Sequence, residues 1–161
     1  MPPETNRISP DRAPTPFSAA EIAAACAPGR VNVYRIEEAG SPPVVMRWEF
    51  VDGDAGSGES RYQTFGEDGT PLGDPQTARA RWTDLQGHAS YPEALTTITH
   101  DVVEVPGGRF DCWRYTIDDG DEQTEAWCAG DLPGPPVLKI HRDADRELSR
   151  MTLLEVIRSA G

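Results

Sequence analysis

The chain has 161 residues, enough for one domain of ordinary size and too few for two full ones. It carries 27 acidic and 15 basic residues for a formal net charge of -12, and the basic residues are scattered singly. Phosphate neutralisation by clustered Lys and Arg supplies most nonspecific nucleic-acid affinity, so a nucleic-acid partner is not expected, and anionic membrane surfaces are disfavoured for the same reason. No run of apolar residues approaches the ~18 needed for a membrane span.

In chain order, the first 16 residues hold five prolines, Pro2, Pro3, Pro10, Pro14 and Pro16. Proline lacks a backbone donor and pushes its predecessor out of the helical region, so residues 1–16 are expected to be a flexible arm, followed by a single domain over residues 17–161. Ser18 and Glu21 have the spacing of a capping box, with Phe17 and Ile22 placed for a hydrophobic staple, which predicts a helix from about Ala19 to Cys26 stopped by Pro28-Gly29. The start of the chain has neither a secretory apolar segment nor a lipobox cysteine, and the expectation for location is cytoplasmic. Three cysteines, Cys26, Cys112 and Cys128, are an odd count without metal-ligand spacing and fit a reducing compartment.

From Val31 the pattern becomes short alternating runs separated by Gly, Pro and Asp, the signature of strands and turns. The clearest is Val44 to Val51, with Val44, Met46, Trp48 and Phe50 in one apolar row. A third strand is expected at Glu59 to Phe65 and a short one at Ala78 to Trp82. Thr83 and Gln86 repeat the capping-box spacing and predict a helical turn near Trp82 to His88. Strands follow at Thr96 to Val105, Arg109 to Asp118 and Glu122 to Ala129, the first pair joined at Pro106-Gly107-Gly108.

The turn at Asp119-Gly120 allows two registers. A two-residue type I' loop sets Arg114 opposite Glu125, whereas a three-residue loop sets Cys112 opposite Cys128, where a disulfide could form. The glycine position and the opposite-charge pair favour the first. Val137 to Arg142 reads as a strand, and residues 147–158 fit either helix or strand, with the β-branched Thr152, Val156 and Ile157 favouring strand. The expected fold is therefore mainly β: a curved antiparallel sheet of seven to eight strands, an open half-barrel, with one N-terminal helix.

No catalytic motif and no metal-ligand spacing occurs: His88, His100 and His141 and the cysteines lie on separate elements, and no cofactor is expected. Acidic turns such as Asp118 to Glu122 are read as solvated hairpin ends.

The segments Val105-Pro106-Gly107-Gly108-Arg109-Phe110-Asp111-Cys112 and Leu132-Pro133-Gly134-Pro135-Pro136-Val137 carry a further signal. With them the chain resembles a group of uncharacterised bacterial proteins that pair a V-P-A/G-G-x-F strand turn with a later L-P-x-P-V turn. That group is similar to open, strongly curved half-barrels of the lipoprotein-carrier type, and the resemblance implies a sheet wrapped on a helix, whose concave face can hold an apolar group.

The function expected is a non-enzymatic binding module that offers Trp48, Phe50, Trp113 and Tyr115 to an apolar small molecule or a protein segment. A protein-interaction role for the Pro-rich arm is the alternative. A small enzyme using Cys112, His88 or His100 is a third reading. An open sheet also leaves edges through which a homodimer could pair.

Overall fold

The computed structural model describes residues 1–158. Its centre is one antiparallel sheet of nine strands: β1 (Val31–Glu38), β2 (Val44–Gly53), β3 (Ser57–Gly66), β4 (Gln76–Arg81), β5 (Thr96–Val105), β6 (Gly108–Asp118), β7 (Glu122–Ala129), β8 (Leu138–Asp143) and β9 (Arg146–Ile157). The short strand expected near 78–82 is β4, which ends at Arg81 with Trp82 opening a helix, and the segment 147–158, open between helix and strand, is β9, which brings the number above the seven to eight expected.

The spatial order is β4-β3-β2-β1-β9-β8-β7-β6-β5, so the sheet is two meanders whose first and last strands meet in the middle. The edge strands β4 and β5 do not pair with each other, and the curved sheet stays open. Bulges interrupt the ladders near Val33/Tyr34, Phe50/Asp52 and His141/Arg142, each adding local bend and twist.

This topology forces one long crossing. After β4 the chain stands at one edge and must reach the other to begin β5. It does so over one face of the sheet, through α2 (Trp82–Gly87) and residues 88–95. The N-terminal helix α1 (Ala19–Ala25) lies on the same face, and contact between α1 and α2 makes the covering layer continuous. The α1 start is as the sequence predicts: Ser18 Oγ accepts from Glu21 N at 3.1 Å while Glu21 Oε1 accepts from Ser18 N at 3.1 Å. Phe17, Ile22 and Cys26 then pack with Phe50, Trp82 and Cys128.

The start of α2 differs from the expectation. Its N-cap is Arg81 without a side-chain cap, and Thr83 is not the capping residue. Gln86 has been recruited elsewhere: its Oε1 accepts from Ala19 N at 3.0 Å and its Nε2 donates to Thr15 Oγ1 at 3.0 Å. That amide ties α2 both to α1 and to the segment before it.

Residues 1–16, expected to be a flexible arm, are instead docked along the crossing. Arg12 bridges Pro92, Ala13 N donates to Tyr91 O at 2.9 Å, and Glu93 N donates to Asp11 O at 2.9 Å. Asn6 and Thr15 are buried and bonded to each other, and Tyr115 Oη donates to Pro14 O at 2.6 Å. The prolines are compatible with this because an extended strap needs few backbone donors of its own.

The β6–β7 register corrects both sequence alternatives. Cys112 faces Ala129, Trp113 faces Cys128 and Thr116 faces Glu125. The loop is Gly120-Asp121, closed by Asp119 N donating to Glu122 O, with glycine carrying φ +95° and Asp121 remaining at negative φ. A type I' loop at Asp119-Gly120 would have required positive φ at Asp119, whereas a glycine-first loop confines that demand to Gly120. Asp118 and Asp119 then accept from the turn's backbone N–H groups. Cys112 and Cys128 consequently point to opposite faces, and all three cysteines are free. Arg114 still reaches Glu125, now diagonally, and Arg142 meets the same buried carboxylate.

Trp82 anchors the covering layer. It is 4% exposed, its Nε1 donates to Asp54 O at 2.8 Å, and its ring rests on Gly58, where a Cβ would come within 2.2 Å of Cη2. Gly58→Ala is therefore expected to displace the indole and destabilise the fold by about 1–3 kcal/mol. Urea unfolding checks this, and a midpoint unchanged from the parent chain would refute it.

Candidate functional site

Cross-strand partners share a face, so the register identifies what the helices cover. The row Tyr115, Ala126, Lys139, Met151, Ile36 and Val44 runs through paired positions of β6, β7, β8, β9, β1 and β2. Trp48, Phe50 and Trp113 lie on the same face by strand alternation. All four aromatics singled out from the sequence thus face the covering layer.

Between sheet and cover lies a cavity of about 220 Å3. Its floor comprises Trp48, Phe50, Ala126, Cys128, Lys139 and Met151, its roof Leu85, His88, Ala89 and Tyr91, and its end walls Ile22 and Cys26 of the α1 end with Gly134, Pro135 and Pro136. Trp48 and Phe50 line it, with ring centroids 5.6 Å apart. Trp113 and Tyr115 do not. Tyr115 is fully buried one ring behind, 6.0 Å from Tyr91, and is closed over by the docked N-terminal segment. Trp113 lies toward the β5 edge, with His100 edge-on at 6.0 Å. The two were indistinguishable from Trp48 and Phe50 by alternation alone. The roof was out of reach of the sequence, because it depends on where the crossing lands.

The deepest polar feature beside the cavity is a buried ladder on β1. Arg30 is 2% exposed; its Nε donates to Asn32 Oδ1 at 3.1 Å, and Asn32 Nδ2 donates to Tyr34 Oη at 2.9 Å. Tyr34 Oη donates in turn to Pro136 O at 3.0 Å. Arg30 Nη1 donates to Pro133 O at 2.6 Å and to Ala25 O, a terminal carbonyl of α1, at 3.2 Å. The guanidinium also lies 5.7 Å from the Phe50 ring centroid. One side chain thereby joins α1, β1 and the 133–136 wall. Burial pulls the Arg30 pKa down, yet a guanidinium starts so high that the cation persists.

The cavity sulfurs are chemically quiet. Burial pushes the Cys26 thiol up to about 11 and the Cys128 thiol up to about 12. Cys112, on the other face, is likewise raised to about 12 by burial and then by Asp101. At neutral pH these groups are thiols, which pack as small apolar surface and are poor nucleophiles. Among the described residues, no three His, Cys, Asp or Glu side chains converge in a metal-binding cluster. No helix among them is long and apolar enough to cross a membrane.

Neither the protein-family models nor the curated proteins contain a match to this chain. Among solved structures the chain is similar to one from Bacteroides fragilis NCTC 9343, described as a "putative exported protein with YmcC-like fold". The TM-score is 0.54 at 12% identity, covering 81% of this chain and 96% of that one. At that identity the likeness is one of fold, and it supports the curved, open antiparallel architecture.

Proposed function

We propose that the protein is a non-enzymatic binding module that holds a small apolar group in the cavity between the crossing segment and the sheet. The observation that carries this reading is the 220 Å3 cavity itself, floored by Trp48, Phe50 and Met151, roofed by Leu85 and closed at one end by Ile22. A hollow lined by apolar side chains gains free energy when an apolar group takes its surface out of water. Its size is below the ~300–1,000 Å3 of drug-sized sites, which points to a short chain or a single ring. Docking of residues 11–13 on the crossing segment favours the cavity over an interaction role for the Pro-rich arm. The compartment we propose is the cytoplasm, on the three unpaired cysteines.

Native mass spectrometry of freshly purified protein, compared with its denatured mass, tests retention of a ligand, and a displaceable hydrophobic fluorophore tests the cavity. Binding of one equivalent is expected, and it should be lost in Ala89→Trp, which places an indole where the roof now leaves space. Undiminished binding by that variant, or no displaceable binding by the parent, would overturn the reading.

A further inference from the structure

The cavity is an electrostatic exception in this chain. With 27 acidic residues among 161, a hollow lined at random would include carboxylates, yet none of its lining residues is Asp or Glu. The chain's one lysine, Lys139, is there instead. Lys139 and His88 are exposed while Phe50, Cys26 and Cys128 are buried, so the two basic residues mark the mouth and the apolar ones the interior.

Lys139 has nothing beside it to neutralise it. Its cross-strand partners are Ala126 and Met151, and among the described residues it makes no ion pair. Two buried donors beside the cavity also lack a partner. Trp48 Nε1 is buried with no partner, and so is Nη2 of Arg30, whose guanidinium packs against the lining residues Phe50 and Gly134. Buried donors are seldom left unpaired, so the polar bias of this region is toward donors and positive charge, which favours an anionic group over a cationic one.

We propose that the cavity takes a short-chain aliphatic monocarboxylate, with its carboxylate at Lys139 in the mouth and its hydrocarbon chain on Ile22, Phe50 and Cys128. This rests on the binding reading above and specifies its ligand. A volume of 220 Å3 lies below the ~300–1,000 Å3 of drug-sized sites, which suits a short hydrocarbon chain.

The test compares octanoate, octanol and octylamine as displacers of a cavity fluorophore on the full chain, in the parent and in Lys139→Gln and Lys139→Arg. Octanol isolates the apolar contribution and reports whether each variant keeps its cavity. A solvent-accessible ion pair changes affinity up to about fivefold and is screened by salt. In Lys139→Gln the ratio of octanoate to octanol affinity is therefore expected to fall about threefold to fivefold with octanol unchanged. Lys139→Arg should retain the ratio, and added salt should shrink it in the parent. A ratio indifferent to residue 139, or tighter binding of octylamine than octanoate, overturns the carboxylate assignment while leaving the apolar site standing. Failure of all three to bind the parent removes both.

Discussion

Arg30→Ala is expected to lower the unfolding free energy by about 3–5 kcal/mol, read from urea unfolding at constant m-value. The side chain is 2% exposed and donates to Asn32, Ala25 and Pro133, so truncation strands three acceptors and opens a void against Phe50. Hydrogen bonds from a charged donor contribute ~1.5–3 kcal/mol each, but the loop and helix end can relax and recover part of it. Arg30→Met retains much of the volume and none of the donors, and should lose less. The gap between the two variants separates packing from hydrogen bonding. A loss below ~1 kcal/mol in Arg30→Ala would mean that the guanidinium does not join α1 to the 133–136 wall.

Alkaline pH should unfold the protein cooperatively before pH ~12. Burial raises Cys26 from 9.0 to about 11, Cys112 and Cys128 from 9.0 to about 12, and Tyr91 from 10.0 to about 12. Burial also raises Tyr34, Tyr62 and Tyr115 above the ordinary phenol range. The sign follows from proton counting. Above pH ~9 the unfolded chain releases protons that the folded chain retains, so the unfolded state binds fewer and stability falls as pH rises. Below pH ~9 these groups are protonated in both states and their contribution is fully present.

Each group that withholds its proton steepens the slope by about 1.4 kcal/mol per pH unit. Several acting together can exhaust the ~5–15 kcal/mol typical of a domain within two to three units. Far-UV circular dichroism and phenolate absorbance should therefore change in one coincident transition. Tyrosines that titrate gradually at ordinary values, with the sheet intact, would contradict the burial of these groups.

Much of the fold could be read from local pattern. Ser18 and Glu21 make the capping box their spacing predicts, and the Val44-Met46-Trp48-Phe50 row faces one side of β2. The Pro106-Gly107 turn joins β5 to β6 at the expected place. Such features depend on residues a few positions apart, where backbone sterics and side-chain alternation decide the outcome. The misreadings share the opposite property. Gln86 matched a capping pattern but was claimed by Thr15 and Ala19, 71 and 67 positions away. The Asp119-Gly120 turn was displaced by one residue, because two aspartates could close the neighbouring loop with their own side chains.

By itself, the sequence determined a strand-rich antiparallel protein with one capped N-terminal helix, and the face to which Trp48, Phe50, Trp113 and Tyr115 belong. These follow from period, turn chemistry and capping, all of them short-range. Only the tertiary structure decided which of the four line a cavity, because that depends on where residues 82–95 cross the sheet between its two edges and where residues 1–16 dock upon them. The same crossing leaves Lys139 at the mouth with no carboxylate in the lining. Long-range contacts of this kind arise from burying the helix-covered face as a whole, and no local window of the chain encodes them.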